Sequence, residues 1–561
     1  MVKGCTLIAL LCFSNEAVAP LPAQVPSGPA WLQTAVFYQV YPQSFCDSNG
    51  DGIGDLPGIT AKLDYIHSVG CDAIWINPIF ASPFGDAGYD VADFYEVASR
   101  YGTNEDLKNL CAEAHKRGMH ICLDLVAGHT STSNEWFQQS ALDHPNPYSN
   151  WYIWTPATEN VPGSQPYPGE NHRPERYLPN FFPFQPALNY GYAQPDPREP
   201  WQRPMTDPAC IAVRDELKKV MKFWLDFGAD GFRVDLASSL IRNDPDHRGI
   251  SALWHYYRAW LDREYPEAVL IAEWSEPSVA IPAGFHVDSL LQFREPYRIL
   301  LGPESRLEGD AREPHAFFER AGGGDIKAFV DDYLRHYTIT KTRGYISIPT
   351  SNHDTPRPTW GRNERDVRTI FAMLFTMPGV PFIYYGDEIG MKFLPDVPNK
   401  EGGTLHASLG EVRRCGSRTP MQWSKGKNAG FSSAPPEKLY LPIDPSESRP
   451  NVATEEEDPA ALLNFTRSLL KLRREHPALT NAADFQPLHA EKNGYPFVYL
   501  RQAGAERIVV AINPADRPSV AAVKEVIKAL PLIVQDAVFR DGRFEMGPVS
   551  FGIFEVECSA Y

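Results

Sequence analysis

The strand-like runs of this chain are apolar throughout, and they alternate with longer helical patterns. AVFYQVYP (35–42) leads to helix-like 58–69, CDAIWINP (71–78) to helix-like 104–117, and HICLDLV (120–126) to a long irregular stretch. Order resumes with helix-like 209–227, DGFRVDL (230–236), helix-like 250–264, AVLIAEW (268–274), HVDSLLQF (286–293), GYISIPTSNHD (344–354), helix-like 364–376 and VPFIYYGDEIG (380–390). Strands apolar on both faces belong in a parallel sheet that is covered on both sides. Eight of them interleaved with helices fit a (β/α)8 TIM barrel better than a doubly wound sheet.

A length of 561 residues suits a large barrel plus one or two smaller units. The Pro-, Asn- and Tyr-rich stretch after the third strand is too long for a plain loop, so 130–208 reads as an inserted domain. The barrel then covers 30–129 and 209–480, with irregular, polar 391–450 as a further loop over one barrel face. From about 484 the pattern becomes alternating strands, FVYLRQ, RIVVAIN and VSFGIFEVE, so 481–561 reads as a C-terminal antiparallel β-sandwich. Residues 1–19 carry Lys3, a short apolar run from Thr6 to Phe13 and Ala17-Val18-Ala19, the pattern of an export signal on a secreted or periplasmic protein. No later segment has the length and apolarity of a membrane anchor.

A formal net charge of −17 argues against nucleic acid and anionic membrane as partners and suits a neutral or cationic ligand. Seven cysteines follow the signal, scattered and without a C-x-x-C pair, which argues against a zinc site. One or two disulfides are open on sequence, with no pairing readable.

In a barrel of this kind, chemistry sits at the C-terminal ends of the strands. Strand three ends in Asp124 and His129, strand four in Arg233 and Asp235, strand five in Glu273, and strand seven in His353 and Asp354. A lone Asp at a strand end is often a helix cap and a lone His a core residue. Four strands contributing such groups independently point instead to one site, since unpaired buried charge is costly. Paired carboxylates without a metal motif suit glycosyl transfer, one attacking the anomeric carbon and one protonating the leaving oxygen. Arg233 shares a strand face with Asp235 and can hold it ionised. Glu273 follows Leu270-Ile271-Ala272, an apolar setting.

DLVAGHTS (124–131), GFRVD (231–235), AEW (272–274) and SNHD (351–354) follow one another in the order of the four main motifs of the α-amylase family, and GYD (88–90), GVPFIYYGDEIG (379–390) and RTPMQW (418–423) add to the match. The chain resembles this family, within it the group of oligo-1,6-glucosidases, α-glucosidases and trehalose or sucrose isomerases. The resemblance implies Asp235 as nucleophile, Glu273 as general acid/base and Asp354 as the third carboxylate gripping sugar hydroxyls. It implies Tyr89, Asp90, His129, Arg233 and His353 around the first sugar, with Asp86 and Arg418 walling off the space beyond it. Three positions depart from the motifs and bear on specificity: Gly128 stands where Asn is usual, Ala187 replaces the Asp of Gln-Pro-Asp-Leu-Asn, and Leu236 follows the nucleophile.

CDSNGDGIGDL (46–56) places oxygen-bearing residues at alternate positions around Gly52, as in the first part of an EF-hand, but Gly58 stands where the closing Glu belongs. The residues alone leave open a calcium sensor, a calcium loop of another fold, or a run of turn residues. The resemblance implies a structural Ca2+ site made by Asp47, Asn49, Asp51, the Ile53 carbonyl and Asp55. It further implies a retaining hydrolase of α-glucosidic bonds in oligosaccharides. A transglycosylase or isomerase of sucrose, maltose or trehalose is the alternative, and a non-catalytic binding protein the third reading.

Overall fold

A computed structural model of the chain describes residues 28–156, 167–169, 173–291, 294–302, 315–407 and 410–558. The export signal expected over 1–19 lies outside them.

Eight short parallel strands form the central sheet: β1 Phe37–Val40, β2 Ala73–Ile76, β3 His120–Leu125, β4 Gly231–Val234, β5 Val269–Ala272, β6 Val287–Ser289, β7 Tyr345–Ser347 and β8 Phe382–Tyr384. Neighbours pair in chain order from β1 to β7, and β8 pairs with β1. Two backbone hydrogen bonds join the remaining edges: Val380 N–H reaches the Ile346 carbonyl at 3.2 Å, and Thr350 N–H reaches the Phe382 carbonyl at 3.0 Å. The ring of strands is therefore closed.

Side chains alternate across each strand. The outward set, including Tyr38, Ile74, Leu123, Phe232, Leu270 and Ile383, joins the main core under the helices. The inward set at the lower end, Phe37, Ala73, Trp75, Cys122, Val269, Ile271, Val287, Tyr345 and Phe382, packs a separate core inside the ring. Two residues further along several of these strands the inward positions turn polar: Gln39, Asn77, Asp124, Arg233 and Glu273. The barrel is thus apolar at its base and ionic at its mouth.

The longer helices are α1 Asn104–His115, α2 Pro208–Phe227, α3 Arg248–Glu264, α4 Ile326–Thr340, α5 Glu364–Leu374 and α6 Leu462–Glu475. In α2, Val213, Leu217, Val220, Met221 and Trp224 are buried at helical spacing, giving one face to the barrel. Asp207 caps its first turn and Pro208 opens it. Gly228 ends it at φ 114°, a left-handed position that a side chain would strain. The helix expected over 58–69 is two pieces, Leu56–Thr60 and Leu63–Val69.

The inserted region holds a three-stranded antiparallel sheet of two-residue strands, Trp154–Thr155, Tyr167–Pro168 and Arg176–Tyr177. A bridge from His129 to Ala187 ties it to the barrel, and one from Tyr152 to Leu188 joins two of its own segments. Within 391–450 the backbone forms one hairpin, Thr404–Ala407 with Gly410–Arg413, and several 3-10 turns.

The C-terminal strands are β9 Asp484–His489, β10 Phe497–Ala503, β11 Glu506–Asn513, β12 Ser519–Ala522, β13 Val526–Arg540 and β14 Arg543–Cys558. They form one connected antiparallel sheet, ordered β9-β10-β11-β14-β12, with β13 alongside β14. Val498, Val509, Ala511, Phe544, Met546 and Phe554 build a core of its own. The other face, with Phe497, Tyr499, Val510 and Phe551, merges into the main core. Two buried arginines hold the backbone at that contact, Arg473 from within the barrel and Arg501 from the sheet. Arg473 donates to the carbonyls of Phe375, Met377 and Gly379, and Arg501 to those of Thr376, Thr480 and Ala483.

All seven described cysteines are free thiols. No helix among the described residues is long and apolar enough to cross a membrane.

Candidate active site

The mouth is organised around two ionic groups. In the first, Asp124 and Arg233 face each other in register across β3 and β4. Arg233 holds Asp124 at 2.9 Å, Asp235 at 3.0 Å and, through its other terminal nitrogen, Glu273 at 2.8 Å. The guanidinium lies over Trp75, which fixes its plane. The indole N–H of Trp75 and the Tyr89 hydroxyl both donate to Asp124. One cation among three carboxylates does not neutralise them. Burial pushes the Asp124 carboxyl up to about 6 despite Arg233. Burial, with the Glu273 carboxyl beside it, raises Asp235 as well, and Arg233 opposes the rise.

The backbone beside each carboxylate is held in a sparsely populated conformation. Leu236 has φ 42°, and its N–H donates to Glu273 at 2.9 Å. Ser275 has φ 59°. Its loop is gripped from β6 by Asp288, which accepts the N–H groups of Trp274, Ser275, Glu276 and Ser289. Such strain persists only where the surroundings overdetermine it.

The second group surrounds Asp354. Arg418 reaches it at 2.8 Å and Arg414 at 2.9 Å, both on Oδ1. Arg414 also holds Asp86 at 2.9 Å, and Gln185 from the inserted region donates to the other oxygen of Asp86. Burial alone would raise Asp354, but the positive charges around it, Arg414 and Arg418 among them, outweigh it and hold the carboxyl well below its usual range. Burial and the neighbouring arginines push His353 down to about 3, so the ring is neutral. Its Nδ1 faces the amide nitrogens of Gln39 and Asn77, which only donate. Nε2 therefore carries the proton, toward Tyr89 Oη at 3.0 Å and Asp354 at 3.5 Å.

Asp235, Glu273, Asp354, Tyr89, Arg233, His353 and Asp86 are thus brought into one continuous network. Of the other three, His129 meets the Tyr89 carbonyl at 3.1 Å, and two are placed differently. Asp90 accepts the N–H groups of Gly85 and Asp86 and the Ser82 hydroxyl, so it shapes the turn that carries Asp86. Arg418 is fully buried; it does not touch Asp86 but braces Asp354 and the His353 carbonyl from beneath. Asp86 is paired with Arg414, which motif reading passed over because RTPMQW begins four residues later. Gln39, Asn77, Gln185 and Asp288 were also missed. The first two occupy the same inward column as Asp124, a signal that alternation along the strand does carry. Ala187 is packed with Ile153, Leu178 and Tyr192 in the core of the inserted region.

The 46–56 loop wraps on itself. Asp47 accepts the N–H groups of Asn49, Gly50 and Gly52; Asn49 accepts that of Asp51, and Asp51 that of Ile53. Asp55 caps the following helix at Gly58 and takes the Ser48 hydroxyl. The ligating atoms are all oxygen, the kind calcium takes; each Asp47 carboxylate oxygen already accepts two hydrogen bonds, one of them from the Ser432 hydroxyl, while the Asn49 and Asp51 oxygens accept one apiece. Among the described residues no three acidic, His or Cys groups gather closely enough to hold a metal by themselves.

A closed parallel barrel with its ionic groups at the carboxyl ends of the strands defines a barrel enzyme. A family model for the α-amylase catalytic domain matches residues 39–482. The chain is 30% identical to the oligo-1,6-glucosidase of Parageobacillus thermoglucosidasius over 87% of its own length and 91% of that protein's. It is 33% identical to the trehalose synthase/amylase TreS of Mycolicibacterium smegmatis, over 81% of this chain and 78% of that one. An isomaltulose synthase variant from Erwinia rhapontici, solved with sucrose, superposes with a TM-score of 0.77 at 27% identity, covering 94% of this chain and 99% of the other. The chain belongs to the α-amylase family of glycoside hydrolases.

Proposed function

We propose that the chain is a retaining α-glucosidase that releases single glucosyl units from the non-reducing end of α-linked oligosaccharides. The observation that carries this reading is the single guanidinium of Arg233 holding Asp235 and Glu273 side by side. Carboxyls of a retaining pair stand about 5–5.5 Å apart, with no room for a water between the acid and the sugar's far face.

Asp235 attacks the anomeric carbon as its bond to the leaving oxygen breaks, and Glu273 gives its proton to that oxygen. The arriving glycosidic oxygen takes the hydrogen bond from Glu273, which leaves Asp235 ionised against Arg233. Water then enters; Glu273 removes its proton, the hydroxide oxygen bonds to the anomeric carbon, and the ester to Asp235 breaks. Asp354, kept ionised by Arg414 and Arg418, grips hydroxyls of the same sugar. The buried Asp86–Arg414 pair closes the space beyond it, which makes a pocket out of what would otherwise be a groove.

A long maltooligosaccharide tests both parts. Glucose appearing first, as the α-anomer by proton NMR, is the expected result. A β-anomer overturns retention, and early mid-sized fragments overturn exo action.

A second reading draws on the isomaltulose synthase among the similar structures. The same covalent intermediate, met by a sugar hydroxyl before water, gives an isomer or a longer oligosaccharide. Products from sucrose, maltose and trehalose separate the two readings. We also propose that the 47–55 loop takes up Ca2+ through Asp47, Asn49, Asp51, the Ile53 carbonyl and Asp55, as a structural ion away from the reaction.

A further inference from the structure

Gly128 has no left-handed backbone to explain it; what it lacks is room. A Cβ there would stand 2.6 Å from Asn180 Nδ2 and 3.1 Å from Ser239 Oγ. Asn180 belongs to the inserted region, and its amide sits where a side chain at 128 would begin.

The orientation of that amide follows from its partners. Arg242 can only donate, and it does so to Asn180 Oδ1 at 3.0 Å. Nδ2 must then face the other way, toward Ser239 Oγ at 3.1 Å and His129 Nδ1 at 3.2 Å. An amide N–H aimed at Nδ1 makes that nitrogen the acceptor. The proton of the neutral ring is on Nε2, where it meets the Tyr89 carbonyl at 3.1 Å. Burial first, and then Arg242, keep the ring neutral, pushing it down to about 4. Arg242 is the charged group facing it; the Tyr89 carbonyl lies on its other side. Three loops meet at one amide: those after β2 (Tyr89, through His129), β3 (His129) and β4 (Ser239, Arg242).

We propose that Asn180 is a positioning residue that sets the tautomer and angle of His129, and that Gly128 and Asn180 are a matched pair, the small residue making space for the amide. The consequence for catalysis rests on the reading above that the first sugar lies against Tyr89 and His129. The inserted region then governs how tightly that sugar is held, without touching it.

The test uses the full chain. In protein carrying ¹⁵N-histidine, with the His129 signals identified by their loss in H129Q, the neutral Nε2–H form is expected. N180D is nearly isosteric, but it turns an acceptor toward Nδ1. His129 should then bind a proton on Nδ1, and its titration should move up by more than about one unit, since a one-unit shift is a small differential interaction in a buried site. KM should rise about tenfold or more, with kcat less affected and the acid limb of kcat/KM displaced. Separately, G128A should lower the melting temperature in the parent but far less in N180A, a coupling expected only of residues in contact. Unchanged His129 signals in N180D, or melting effects of G128A and N180A that simply add, overturn the proposal. The NMR and melting arms do not depend on which glucoside is cleaved, so they stand apart from the fate of the α-glucosidase reading. If both hold while KM stays still, the sugar-holding consequence is wrong.

Discussion

The two ionic groups at the mouth are made of the same residue types in different proportion. Around Arg233 there are three carboxylates to one guanidinium; around Asp354 there are two carboxylates, Asp354 and Asp86, to two guanidiniums, Arg414 and Arg418. Both groups are largely buried, with 11% of the Asp235, 12% of the Glu273 and 20% of the Asp354 side chain exposed, so desolvation alone does not set them apart. The balance of charge does. In the acid-rich group burial and the neighbouring carboxylate push Asp235 up. In the balanced group Asp354 is pushed down and stays ionised. On the proposed mechanism one half of the mouth handles a proton and the other supplies fixed charge.

The largest expected effect comes from the acid-rich half. E273Q removes the transferable proton and should lower kcat by about 10²–10⁴-fold, the usual worth of a positioned acid/base. D235N should cost more, since no ester can form. Azide in place of water should partly restore turnover in neither parent nor D235N, but should act on a small-residue variant at 235. If D354N proves as damaging to the chemical step as D235N, the division of labour fails.

Breaking the balanced half should show chiefly in binding and stability. R414A leaves Asp86 and Asp354 buried with less compensation, and removing one partner of a buried pair costs about 3–5 kcal/mol. Urea unfolding should register that loss, and KM should rise more than kcat falls.

The pH dependence of stability sharpens the same contrast. Asp354 has a depressed folded value, so its contribution is present above the unfolded carboxylate value of about 4 and fades as pH falls below it. The gap in melting temperature between parent and D354N should therefore be widest near neutral pH and shrink below about pH 4. A gap that grows on acidification would contradict the assignment of Asp354 as fixed charge.

The smallest effect concerns the 47–55 loop, which stands outside both groups. A bound ion stabilises only the folded form, so a chelator should lower the melting temperature by a few degrees and leave kcat nearly unchanged. Metal-free protein that melts identically with and without Ca2+ would make the loop a turn and nothing more.

The barrel was readable because its strands are apolar on both faces and its mouth residues follow them at fixed spacing. Asp124, Arg233, Asp235 and Glu273 lie on three consecutive inward columns or at their ends, so a period of two finds them. Arg414 and Arg418 illustrate what such spacing cannot give. They flank the 3-10 turn Cys415–Ser417 in an irregular segment, and that turn sends one toward Asp86 and the other beneath Asp354. No periodicity announces such a division. The Asp90 carboxylate answers the N–H groups of its own turn, a local bond that a motif match does not reveal. Asp288 escaped because its partners are backbone N–H groups rather than side chains.

Arg473 and Arg501 place their guanidiniums against carbonyls at and beyond the end of α5 and leave no layer of solvent between barrel and C-terminal sheet. A boundary of this sort is a weld, and it determines how the molecule comes apart. Cutting the chain before β9 would uncover the core that Phe497 and Tyr499 cover and strip the Thr376 and Thr480 carbonyls of their Arg501 donor. The barrel and the sheet should accordingly melt in one calorimetric transition, and a truncated barrel should be insoluble rather than merely less active.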